Sequence, residues 1–104
     1  MPILIAFYPT KQSSPKRYRM VLANPHQIID FGQKDGQTYI DHGDKVKRQN
    51  YLKRHSVRED WDSLNAGSAS ARILWGTHTD IRKNLIDFIR NFQLEVPKGT
   101  KFIL

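Results

Sequence analysis

The spacing of apolar side chains changes once along this chain, and that change limits what it can fold into. Arg17–Leu22 alternates strictly, with Tyr18, Met20 and Leu22 on one face and Arg17, Arg19 and Val21 on the other. Beyond Asp44 the repeat lengthens to that of a helix. Ile81, Leu85, Phe88, Ile89 and Phe92 recur at i, i+4, i+7, i+8 and i+11. Strands early and helices late predict an α+β fold.

The expected architecture is a small antiparallel β-meander packed by two or three helices, with extended N- and C-terminal arms. The three strands are read at Arg17–Leu22, Gln27–Phe31 and Gln37–Asp41, with Asn24-Pro25 as the first turn and the glycine-bounded Gly32–Gly36 as a bulged hairpin loop. A lone sheet of this size needs cover on its apolar face. Asp44 is placed to cap a helix running to about His55, with Val46, Tyr51, Leu52 and His55 as an incomplete apolar stripe. A second, small-residue-rich helix is expected over Ser68–Trp75, stopped by a left-handed Gly76, and a third begins with Thr79 as cap and Asp80 on its positive end. The domain division is a strand or arm over 1–15, one α+β domain over 16–94 and a tail over 95–104. Trp61 and Trp75 flank the small residues 66–71, which suits ordinary core packing.

At 104 residues and 38% hydrophobic content the chain has enough for one modest core. Its opening apolar run, Ile3–Tyr8, is six residues, against about 20 for a membrane span. No basic region precedes that run and no small-residue cleavage site follows it, so a signal peptide is not expected. Met1-Pro2 lacks the glycine that myristoylation needs. The absence of cysteine removes disulfides, thiolate metal sites and cysteine nucleophiles together.

Charge is distributed unevenly. Residues 1–58 hold 11 basic and 4 acidic side chains, whereas 59–104 hold 6 of each, so the first part carries the whole net charge of +7. Such asymmetry favours an anionic partner. The residues expected to meet it are Arg17, Arg19, Lys45, Lys47, Arg48, Lys53, Arg54 and Arg58. Two blocks, Lys16–Arg19 and Tyr51–His55, set an aromatic ring beside cations; Tyr18 is expected to turn into the core with Met20 and Leu22.

Signals for chemistry are thin. His26, His42, His55 and His78 are scattered; only His55 and Glu59 stand at i, i+4, with Asp60 or Asp62 as possible third ligands. An ion-paired helix terminus, with Arg54 and Arg58 against Glu59, Asp60 and Asp62, is the simpler reading. Ser13 and Ser14 lack a nucleophile-elbow context, and no phosphate-cradling glycine motif occurs. No catalytic residue, metal ligand, cofactor or small-molecule substrate is therefore expected. A deep polar cavity around His55 holding an ion or reactant would overturn that expectation.

Five strings read in order, YRMVLANP (18–25), IDFG (29–32), TYIDH (38–42), NYLKRHSVREDW (50–61) and NAGSASARILWG (65–76), carry a likeness. With them the chain resembles a family of small basic proteins of large nucleocytoplasmic DNA viruses, of iridovirus, chlorella virus and marseillevirus type. It departs from that pattern in the compact loop 62–65, and residues 1–15 and 77–104 lie outside it. The resemblance carries no established activity, but it implies a virion setting, with the host-cell cytoplasm as the place of assembly. In that setting the chain is expected to be a non-enzymatic minor capsid protein that bridges or cements other capsid subunits. Ile3, Ile5 and Phe7 at one end and Phe102, Ile103 and Leu104 at the other would contact neighbouring subunits. The alternatives are nucleic-acid binding in viral DNA packaging and attachment to the anionic surface of an inner membrane.

Overall fold

The alternating stretch and its neighbours form strands, as their β-branched and aromatic content favours. In the computed structural model, which describes residues 1–104, these are β1 (Ile3–Pro9), β2 (Lys16–Ala23) and β3 (Gln27–Gln33). They pair antiparallel in sequence order, with Leu4 opposite Leu22, Phe7 opposite Met20 and Met20 opposite Ile29. Side chains alternate across a sheet, and an irregularity in β1 between Leu4 and Ala6 shifts the register by one, so that Leu4 and Phe7 join Tyr18, Met20, Leu22, Ile29 and Phe31 on one buried face. The Tyr18 ring lies among Phe7 and Phe31, with centroids 5.2 and 6.1 Å away, so it is a core residue.

The meander sits one strand earlier than expected. Its first member is β1, and residues 37–41 stay outside the sheet. Tyr39–His42 is instead a short helix, α1. The Asp41 carboxylate reaches back to accept the Thr38 N–H at 2.8 Å, and Gly43, at φ 65°, ends the turn in the left-handed region. Gly32 lies within β3, and the Gly36 N–H closes a tight turn on the Gln33 carbonyl, so 32–36 is no hairpin loop.

Helix α2 (Lys45–Ser56) starts where expected, with Asp44 accepting the N–H groups of Val46 and Lys47. Asn65, accepting the Ser68 N–H at 2.8 Å, starts α3 (Ala66–Ala69) two residues before the expected Ser68. The chain then widens into a π-helical turn, Ser70–Leu74, closed by Trp75 N–H on the Ser70 carbonyl at 3.0 Å. Gly76 is not left-handed. It is required by space: a Cβ there would lie 2.3 Å from the Arg72 carbonyl oxygen and 2.6 Å from Asn84 Cγ. Helix α4 (Ile81–Asn91) is capped by Asp80 rather than Thr79, through the Arg82 N–H at 2.9 Å. Its Leu85 and Phe88 join Ile73, Leu74 and Ala69 against the sheet in a single core. No helix is long and apolar enough to cross a membrane.

Of the two terminal segments, the one read as a strand or arm supplies β1, and the tail supplies a short strand of the same sheet rather than a free arm. β4 (Lys101–Phe102) runs parallel to β1, with Lys101 opposite Ala6 and Phe102 opposite Phe7, which gives a mixed sheet of order β3-β2-β1-β4. Leu4 N–H bonds the Glu95 carbonyl, the Thr100 hydroxyl bonds the Leu4 carbonyl, and Ile103 N–H bonds the Phe7 carbonyl. Phe7 is fully enclosed and Ile3 half-buried, so neither is free for a neighbour, whereas Ile5, Phe102, Ile103 and Leu104 are exposed.

Candidate functional site

Three of the eight cations assigned to an anionic partner are occupied within the chain. Arg17 forks the Asp41 carboxylate at 2.7 and 2.8 Å, and Arg19 forks Asp30 at 2.7 and 2.9 Å. The Arg17 guanidinium, helped by the Thr38 N–H and hydroxyl, holds the Asp41 carboxyl well below the usual carboxylate range. Arg48 turns inward and shares its Nε–H between the carbonyls of Trp75 and Gly76, each at 3.0 Å. The inner stripe of α2 is therefore Arg48, Tyr51, Leu52 and His55, at i, i+3, i+4 and i+7, and Val46 faces solvent. Lys45, Lys47, Lys53, Arg54 and Arg58 remain exposed, with no ion pair.

Beside this helix opens a cleft of about 530 Å³. Its walls are α2, the ends of β2 and β3 with the turn after them, and the stretch from α3 to Trp75. Phe31, Leu74 and Trp75 supply apolar surface; Lys16 and Arg54 supply positive charge; His55 and Glu59 lie together on one side. The cleft opens to solvent, and His55 is part of its wall.

The His55 side is held in place by aromatic packing and by one carboxylate. Trp75, Tyr51 and His55 form a three-ring stack, with Tyr51 4.2 Å from Trp75 at an interplanar angle of 4° and 4.1 Å from His55. Burial, with a contribution from the Glu59 charge, pushes the Tyr51 hydroxyl up to about 12. His55 Nδ1 lies 3.1 Å from one Glu59 oxygen, and the other accepts the Trp61 indole N–H at 2.9 Å. Both Glu59 oxygens are thus committed, while His55 Nε2 has no partner in the chain. Gly67 lets the carboxylate sit close, since a Cβ there would stand 3.1 Å from Glu59 Cδ.

The acidic cluster does not form the ion pairs expected of it. Arg54 and Arg58 are unpaired; Asp60 binds the Asp62 N–H and the Ser63 hydroxyl, and Asp62 lies 3.5 Å from Arg72. No three His, Asp or Glu side chains come together as metal ligands. His42 accepts the Asp44 N–H on Nδ1 and packs edge-on to Trp75, and His78 lies 3.3 Å from Asp87. Of the cleft's polar groups, the His55–Glu59 pair, Arg54 and the cation at Lys16 stand out in the sequence, whereas the nearness of Lys16 to them and the Trp61 contact do not. Lys16 enters only because the strand order carries the start of β2 to the cleft.

Residues 9–55 match a family of unknown function (DUF5754). The matched span runs from the end of β1 to His55, so it includes Lys16, Tyr51, Arg54 and His55 and stops short of Glu59 and Trp61. No curated protein and no solved structure matches the chain.

Proposed function

We propose that this chain is a non-enzymatic structural component of a virion, a minor capsid protein that bridges two neighbouring capsid subunits. The observation that carries this reading is the presence of two unlike exposed surfaces, a cationic helix face and an apolar strand edge. Across the cleft from β3, α2 presents Lys45, Lys47, Lys53 and Arg54 to solvent, with Arg58 just beyond its end. Beside the Asp44 cap, Lys45 and Lys47 add positive charge at the end of α2 that is already positive, so an acidic surface suits them. At one edge of the sheet, β4 leaves Phe102, Ile103 and Leu104 exposed by 41, 47 and 40% beside an unpaired strand edge. An edge of that kind suits strand addition by a neighbour. The virion setting rests on the family resemblance.

Lysine cross-linking of purified particles, read by mass spectrometry, tests the bridge. Lys45, Lys47 and Lys53 should link to one shell subunit, and Lys98 and Lys101 to another. Recovery of both lysine groups on the same subunit, or of the protein only in the DNA core, would overturn it. A second reading, packaging of viral DNA, is favoured by one observation. Enclosure of Phe7 and pairing of β1 on both sides leave less apolar surface for a protein neighbour, while five cations on and beside α2 remain free.

A further inference from the structure

The cleft around His55 lies apart from the β4 edge and touches the cationic helix face only at Arg54. We propose that it binds a small organic phosphate of about mononucleotide size, with the phosphate at the rim and an apolar ring body on the floor. At about 530 Å³ it falls within the usual range of small-molecule sites, roughly 300–1,000 Å³. The floor is supplied by Phe31, Leu74 and Trp75. The rim includes Lys16 from β2 and Arg54 from α2, and neither forms an ion pair. His55 adds a third polar group, whose Nε2 is free because Nδ1 is turned to Glu59.

The charge balance selects the ligand class. Glu59 is the one acid in the wall; its oxygens face the Trp61 indole N–H and His55 Nδ1, and its charge offsets one of the two cations, so the cleft stays net positive. Lys16 and Arg54, neither in an ion pair, can still both engage a phosphate monoester, which carries about −1.5 to −2 charges at neutral pH and offers several acceptor oxygens. Guanidinium and ammonium divide the work, the first by paired donors and the second as a compact charge. Gly32 lets the wall close on the floor, since a Cβ there would stand 2.7 Å from Leu74 Cδ1. Bare inorganic phosphate would satisfy the rim and leave the floor unused; an organic phosphate uses both.

Two-dimensional NMR of the full chain tests the site, following the His55 imidazole and Trp75 indole signals during titration with adenosine 5′-monophosphate, inorganic phosphate and adenosine. The nucleotide should shift both signals saturably and bind at least about tenfold more tightly than inorganic phosphate, with adenosine weaker than either. Lys16→Gln and Arg54→Gln, both at exposed positions, should each weaken the nucleotide severalfold without altering the remaining spectrum. Absence of saturable shifts up to about 10 mM nucleotide would overturn the proposal, as would equal binding by adenosine. Inorganic phosphate binding as tightly as the nucleotide would overturn the organic body, leaving a bare anion site. Unchanged nucleotide affinity in both variants would place the ligand elsewhere.

Discussion

Asn84 is 1% exposed and polar, a combination tolerated only when the group is fully hydrogen-bonded. Its amide donates to the carbonyls of Ile73 and His78 at 2.8 and 2.7 Å, and its oxygen accepts the His78 N–H at 2.9 Å. One side chain therefore ties the end of the π-helical turn, the following loop and α4 together, and Gly76 is flush against it. Asn84→Ala leaves three backbone groups without their partner, so a loss of about 2–4 kcal/mol is expected. In thermal melts that corresponds to a fall of roughly 10 °C or more for a domain of this size. A melting point within about 2 °C of the parent protein would contradict this account. Nothing in the local sequence distinguishes Asn84 from a surface residue of an amphipathic helix. Only its neighbours at i+1 and i+4, Leu85 and Phe88, indicate that this face is the buried one.

Helices α2 and α4 are anchored in different ways. α4 inserts Leu85 and Phe88 into the core, whereas α2 has no buried residue and is held by Tyr51 between two rings and by Arg48 on two carbonyls. Burial favours the neutral phenol of Tyr51 in the folded chain, while an unfolded tyrosine ionises near its ordinary value of 10. Stability from this group is thus complete below about pH 10 and is lost as pH rises toward about 12. Tyr51→Phe removes the ionisation, so between pH 10 and 12 its denaturation midpoint should gain on that of the parent protein. A constant difference across that window would sink the assignment. At this scale the last helix was readable because its apolar residues keep helical spacing, and α2 because Asp44 announces its start. The segment 37–41 was misread because Tyr39 and Ile40 have strand-forming side chains. The contrary signal was Thr38 with an acid three residues on, which closes a turn locally before any sheet can recruit it. The cleft could not be read in advance, because its walls come from parts of the chain that only folding brings together.

For the molecule as a whole, ion pairing redistributes the charge that composition reports. Arg17 and Arg19 spend theirs on Asp41 and Asp30, and Arg48 turns inward, so of the eight cations expected to meet a partner the five left free lie on α2 and at Arg58. If DNA is the partner, five phosphate contacts predict affinity falling about 500-fold between 50 and 200 mM salt, which a gel-shift series would measure. A nearly flat salt response would exclude DNA and leave the acidic protein surface as the partner of α2. The pairing of β1 with β4 has a consequence for assembly in time. Ala6 lies beside Lys101, so the two partners stand 95 positions apart and the stretch between them must be made before they can pair. Until β4 arrives, a newly made chain displays β1 with a bare flank, next to which any second nascent copy could lie down. Residues 101–104 thus act as a latch that closes late, and trimming them should raise self-association, which size-exclusion chromatography would detect.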